Sequence, residues 1–288
     1  MQTAGERPAE PTRIDRSVVG RRIGTSEVRI TAEATRTYAL ATNDKNPAYL
    51  DAGDVIAPPM YQVVLAFAAM PDETMAAYGL DVLGTRIGLH AEQDMLFLTP
   101  IRPEETIVTE VDVEAIEDHR LGEIARFAVT SRTINGEERC RATWSNLYVD
   151  DSSRLNVPRK PAATDHREPP LAIARMPVSR DQSLRYAEAS GDHTRTHVDE
   201  EYSQSWGYPT YLLQGLCTMA IAGKAVIDEL AAGDPSRLRR LRVRFAGPVF
   251  PGNTLSTAMW EGEGSEEFNF ETTNEHGAPV IAGGIAEL

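Results

Sequence analysis

Two stretches of this 288-residue chain read alike at a fixed distance, and that repeat constrains the fold more than any other feature. Tyr38-Ala39-Leu40-Ala41-Thr42-Asn43-Asp44 matches Tyr186-Ala187-Glu188-Ala189-Ser190-Gly191-Asp192 at an offset of 148 positions. Pro100-Ile101-Arg102-Pro103-Glu104-Glu105-Thr106 matches Pro248-Val249-Phe250-Pro251-Gly252-Asn253-Thr254 at the same offset, and Pro59-Met60-Tyr61 aligns with Pro209-Thr210-Tyr211 after a slip of two. Three matches in one order point to a duplicated domain of about half the chain, which is ordinary domain size.

The join follows from composition. Residues 151–171 carry Pro158, Pro161, Pro169 and Pro170 among polar residues, so this stretch reads as an extended linker. The units are then 13–150 and 172–288, with 1–12 a loose polar tail.

Within each half the hydrophobic pattern changes period once. Tyr211 through Ile227 and Leu230 is apolar on most faces, is preceded by Pro209 and ends at Gly233, which predicts a buried helix. Leu241, Val243 and Phe245 then alternate with arginines, the period of a half-exposed strand, and short strand-like runs follow at 255–260, 268–272 and 280–285. The first half repeats the pattern, with strands expected at 87–97, 107–113, 125–133 and 140–148. One buried helix wrapped by an antiparallel sheet, twice, is an α+β architecture.

Charge and cysteine usage narrow the function. Lys and Arg number 29 against 43 Asp and Glu, a formal charge of -14, so neither nucleic acid nor an anionic membrane is an expected partner. Cys140 and Cys217 form no CxxC pair, which fits a reducing cytoplasm and speaks against a disulfide scaffold or a zinc ribbon. The start lacks an apolar core of the signal-peptide kind, and no apolar run reaches bilayer length. A cytoplasmic location is the expectation.

Several motifs then resemble one family. Ser190-Gly191-Asp192-His193-Thr194-Arg195-Thr196-His197 resembles the hydratase-2 motif of MaoC-like dehydratases, Ser-Gly-Asp, any residue, Asn-Pro, any residue, His. Leu213-Gln214-Gly215-Leu216 resembles the family's His-Gly-Leu helix start, and Pro248 to Leu255 its Pro-Val-Phe-Pro-Gly-Glu-Thr-Leu turn. His90-Ala91-Glu92-Gln93 resembles a His-Gly-Glu-Gln stretch of the N-terminal half of double-hotdog members.

The resemblance implies a double hotdog, two antiparallel sheets each wrapped around a long central helix and joined as a pseudo-dimer. It also implies (3R)-specific hydration or dehydration of a 2-enoyl or 3-hydroxyacyl thioester carried by coenzyme A or an acyl carrier protein. Asp192 and His197 would be the acid/base dyad, and the Gly215 N–H would hold the thioester oxygen. No metal and no redox cofactor are implied, coenzyme A or phosphopantetheine being part of the substrate. A carboxylate and an imidazole that share a water can exchange protons with it, and donors at a helix start favour developing negative charge. Pairing of two copies as a homodimer is left open.

In the first half Asp44 and Asn46-Pro47 keep the motif, but Tyr49 stands in the histidine's place. That copy reads as degenerate, making room for the acyl group. The second half departs from the motif at Thr194-Arg195 and at Gln214, which with Tyr49 are read as substrate-binding positions. These departures raise two alternatives, a specialised dehydratase, isomerase or cyclase on the same scaffold, and a non-catalytic acyl-binding partner subunit. Other residues have plainer readings. His193 reads as a solvent-facing loop residue, Cys217 as a packed hydrophobe, and His90 and Glu92 as strand-surface residues. The cationic run Arg237, Arg239, Arg240, Arg242 and Arg244 is either a solvated strand face or a phosphate-binding patch.

Overall fold

The computed structural model describes residues 13–51, 53, 55–71, 75, 87–149 and 168–288. The expected tail at 1–12 and most of the linker, residues 150–167, lie outside the described residues. The first half runs β1 (Arg22–Arg29), α1 (Ala32–Ala41), α2 (Pro47–Leu50), α3 (Gln62–Ala69), β2 (Ile87–Phe97), β3 (Thr106–His119), β4 (Gly122–Thr133) and β5 (Glu138–Val149). The second repeats the series as β6 (Ala172–Pro177), α4 (Gln182–Ser190), α5 (Arg195–Val198), α6 (Glu200–Ser205), α7 (Gly215–Leu230), β7 (Arg240–Phe245), β8 (Thr254–Glu261), β9 (Glu267–Thr273) and β10 (Pro279–Glu287).

All ten strands form one sheet in the order β1-β3-β4-β5-β2-β7-β10-β9-β8-β6. The halves meet where β2 pairs antiparallel with β7, and Asp94 lies opposite Arg242 there. Those two residues are themselves 148 positions apart, so a pseudo-twofold axis passes between them. The joined sheet with its paired helices is the double hotdog that the resemblance implied. Each half thereby covers one edge of the other, an edge that would otherwise present unpaired backbone groups.

Strands with a buried inner face alternate cleanly, as in β8, where Leu255, Thr257 and Met259 are buried. The edge strands β1 and β6 were not foreseen. Most of their residues are partly or fully exposed, so the alternation that marks a strand is weak in them. The central helix of the second half also differs from expectation. It begins at Gly215, not near Pro209, because the Leu212 and Leu213 N–H groups bond outward to the carbonyls of Thr196 (2.9 Å) and Val249 (2.8 Å). Gln214 keeps an extended ψ of 138° as its N-cap. Gly233 ends the region as foreseen, with a left-handed φ of 78° and its N–H on the Ile227 carbonyl at 2.9 Å. At Gly223 a Cβ would lie 2.9 Å from Leu241 Cδ2, so α7 approaches β7 closely there and a larger residue would displace the leucine methyl. The first-half counterpart α3 is only eight residues long.

Polar side chains tie the halves together around the axis. Asp94 takes a two-pronged bond from Arg240, at 2.9 and 2.7 Å. Asn43 Nδ2 donates to Gln182 Oε1 (2.6 Å), Arg185 to the Leu40 carbonyl (2.8 Å), and Asn46 Nδ2 to the Gly233 carbonyl (2.7 Å).

Candidate active site

α4 ends at Gly191, whose φ of 82° turns the chain sharply and presents Asp192 at the start of a tight loop. Asp192 Oδ1 accepts the Thr194 N–H (3.3 Å) and the Thr194 hydroxyl (2.8 Å). The first-half copy makes the same turn, Asp44 Oδ1 accepting the Asn46 N–H at 3.0 Å. Thr194 therefore preserves the turn, with its hydroxyl on the Asp192 carboxylate where the Asn46 side chain instead accepts the Ala48 N–H. Both bonds fall on Oδ1, which leaves Oδ2 for another partner.

His197 lies on α5, a single turn. Its Nδ1 is 3.0 Å from the Leu212 carbonyl oxygen. A carbonyl only accepts, so Nδ1 carries a proton, and in the neutral tautomer this bond selects, Nε2 keeps its lone pair. The Leu212 carbonyl also accepts the Ser183 hydroxyl at 3.0 Å.

Gln214, read as a substrate-binding position, is fully buried, and its Oε1 has no hydrogen-bond partner. Its Nε2 donates to the Ser183 carbonyl (3.1 Å) and to the Asp192 carbonyl (3.3 Å). Ser183 on α4 is thus the common anchor of the Asp192 turn and the His197 strut. Sequence reading missed it, since a serine within a helix carries no motif of its own. Gly215 opens α7, and its N–H belongs to the first turn, which has no intrahelical acceptor. A Cβ there would lie 3.3 Å from the Phe245 ring, so the aromatic face walls the helix start.

The Arg195 side chain is engaged at the surface. Its Nε and Nη2 bond Asp199 Oδ2 at 3.1 and 2.7 Å, and its guanidinium covers the Tyr202 ring at 4.2 Å. The side chain is 66% exposed. The Tyr202 N–H and then the Arg195 bond hold the Asp199 carboxyl below the usual range. Tyr49 is in the other half, buried, with its hydroxyl unpaired beside a cavity of about 20 Å³ that Asp44, Thr42 and Lys224 also line. Burial, then the Asp44 charge, pushes its phenol well above the ordinary value. Burial likewise raises the Asp44 carboxyl.

The plainer readings divide. His193 is exposed and lies 3.9 Å from Glu188, and Cys217 is fully buried with its thiol pushed up by desolvation. His90 is half-buried, with its Nε2 turned into the protein. Its ring stacks on Trp144 at 5.2 Å and meets Phe245 edge-on at 5.0 Å, and desolvation holds the imidazole down at about 4. Within the cationic run Arg240 is neutralised by Asp94 and Glu287, and Arg242 and Arg244 lie opposite Asp94 and Glu92 on the exposed face of the sheet. This favours the solvated strand face. Among the described residues no three His, Cys, Asp or Glu side chains converge as a metal site, and no helix is long and apolar enough to cross a membrane.

Residues 161–280 match the MaoC like domain, and residues 17–140 match the dehydratase domain region of FAS1-like proteins. A probable enoyl-CoA hydratase 2 of Dictyostelium discoideum is 30% identical over 203 residues, 69% of each chain. The chain belongs to the MaoC-like dehydratase family. It is a hydro-lyase by that membership. A second relative, 3-hydroxyacyl-thioester dehydratase Y of Mycobacterium tuberculosis, is 32% identical over 66% of this chain and 68% of its own. The MaoC-like dehydratase of Phytophthora capsici superposes with a TM-score of 0.82 at 25% identity, covering 95% of this chain and 97% of that one.

Proposed function

We propose that this MaoC-like protein adds water to a trans-2-enoyl thioester to give the (3R)-3-hydroxyacyl thioester, and runs the reverse elimination, with Asp192 and His197 as the acid/base pair. The carrier is coenzyme A or the phosphopantetheine of a carrier protein. The observation that carries this reading is the bond from His197 Nδ1 to the Leu212 carbonyl, which leaves Nε2 as a base.

In the forward direction His197 Nε2 takes one proton of a water whose other hydrogen bonds Asp192 Oδ2. The oxygen adds to C3, the C2–C3 π electrons move toward the thioester, and negative charge gathers on its oxygen. The Gly215 N–H, at the start of α7, stabilises that charge; such a donor is worth about 2.7–4 kcal/mol in other oxyanion sites. The proton returns to C2, the carbonyl re-forms, and one water has been added across the double bond. The chemistry needs no metal or redox group.

Retention of a free Nε2, an Asp192 turn and an open helix start supports an enzyme over a non-catalytic acyl-binding subunit. The test is hydration of trans-2-enoyl-CoA with chiral analysis of the product. The (3R)-alcohol is expected. A (3S) product, or no hydration of any enoyl-CoA or enoyl-carrier thioester by folded protein, overturns the reading.

A further inference from the structure

Behind the proposed thioester position lies a group of buried polar side chains that the chemistry above does not use. In β2 the pairing with β5 slips between His90 and Glu92, so Ala91 is a bulge. Counting back by twos from the buried Met95 and Gln93 would turn Ala91 inward. The bulge instead turns His90 to the side of Gln93 and Met95, while Ala91 packs with Leu121, Leu147 and Val149 in a separate cluster. Trp144 on β5 pairs directly with Gln93. Bulges of this kind recur beside active sites, where they re-aim a side chain.

Four polar atoms of these three residues are buried without a hydrogen-bond partner. They are His90 Nε2, both ends of the Gln93 amide and Trp144 Nε1. Gln93 is 0% exposed and Trp144 4%. The residue 148 positions after Gln93 is Leu241, equally buried. Where the pseudo-symmetric copy has leucine, this copy has an amide that faces the His90 ring and makes no well-formed hydrogen bond. A buried donor or acceptor left unmade costs more than a made one gains, so such atoms persist where something else satisfies them.

The group adjoins the reacting centre through one ring. Phe245 meets His90 edge-on at 5.0 Å, and its other neighbour is the Cβ position of Gly215, 3.3 Å away. The charge of Asp192 also reaches His90, although desolvation outweighs it and keeps the imidazole neutral near pH 7.

Resting on the reading of the site as an enoyl-thioester hydratase, we propose that His90, Gln93 and Trp144 are specificity-determining residues that bind a hydroxyl or carbonyl oxygen carried on the acyl group. The indole N–H can only donate, so the partner must accept, and an oxygen does. The Gln93 amide adds a second donor and, for a hydroxyl, an acceptor. A plain hydrocarbon chain would offer these atoms no oxygen to bond, and the indole N–H would stay unpaired. Sites built to bond a substrate oxygen reject the analogue that lacks it far more strongly than apolar pockets reject an extra methylene.

The experiment compares trans-2-enoyl-CoA substrates of equal chain length, one set plain and the other with a hydroxyl or keto oxygen moved along the chain one carbon at a time. The wild-type enzyme should show kcat/KM at least about tenfold higher for the best oxygenated substrate than for its plain counterpart. In Gln93→Leu, which installs the residue of the pseudo-symmetric position, and in Trp144→Phe, which keeps a ring but removes the N–H, that ratio should fall toward one. Plain chains used equally well or better at every oxygen position, or a ratio unchanged in both variants, overturns the proposal and leaves these atoms to structural water. Hydration of plain chains without preference refutes this proposal alone. Hydration of no thioester refutes it together with the reading it rests on.

Discussion

The phenol oxygens of Tyr38 and Tyr186 lie 3.5 Å apart in the buried core, their rings 5.7 Å between centroids. The two residues are 148 positions apart and occupy the same place in each half. They therefore meet on the pseudo-twofold axis, where α1 packs on α4, and the duplicated sequence becomes a single core there.

Truncating that contact should unfold both halves together. Tyr38→Ala removes a fully buried ring and should cost about 3–5 kcal/mol, read from urea denaturation as one cooperative transition. Tyr38→Phe loses a hydroxyl contact at the limit of hydrogen-bond length and should cost under about 1.5 kcal/mol. Two separate transitions in Tyr38→Ala would show that the halves fold independently.

Gln214 should act on turnover through position alone. Its amide pins the Asp192 carbonyl to Ser183 and touches no substrate in this account. Gln214→Leu should lower kcat about 10–100-fold with KM little changed, the scale expected when a reacting group is displaced by about an ångström. A rise in KM with kcat intact would instead make Gln214 a substrate contact.

Arg195 should be dispensable. Its guanidinium is spent on Asp199 and Tyr202 at the surface. Arg195→Ala should cost at most about 1 kcal/mol and leave the pH–rate profile in place. A displaced profile in a folded variant would put the guanidinium near the dyad.

Tyr49 should also be dispensable for proton transfer. Its hydroxyl is buried without a partner, and its phenol stays protonated at neutral pH. Tyr49→Phe should leave turnover within about threefold and stability unchanged or raised, because an unsatisfied hydroxyl is removed. A loss as deep as that of a dyad variant would place the working site in the first half.

Much of this molecule was legible in its sequence, for physical reasons that can be named. The repeat gave the duplicated sheet-and-helix plan, since duplicated halves must solve the same packing problem. Strands with one buried face, such as β8, announce themselves by alternation, whereas β1 and β6 leave most of their residues partly or fully exposed and lose the signal. The helix start at Gly215 was misplaced because hydrophobicity alone cannot show that the Leu212 and Leu213 N–H groups bond to loops. The Asp192 turn followed from a motif. The bonds of Ser183 and Gln214 did not, because they run to backbone carbonyls brought near only by the fold. His90 was misread as a surface residue because a one-residue bulge reverses which side chains face inward.

Whether Asp192 and His197 act as a pair is measured most directly by the hydration rate of a trans-2-enoyl-CoA, followed as loss of the enoyl absorbance, in Asp192→Asn and His197→Ala. Each variant should remain folded by circular dichroism and lose at least about 10² in kcat, the usual contribution of one acid/base group. Near-normal turnover in either folded variant would contradict the dyad and move the proton chemistry to other residues.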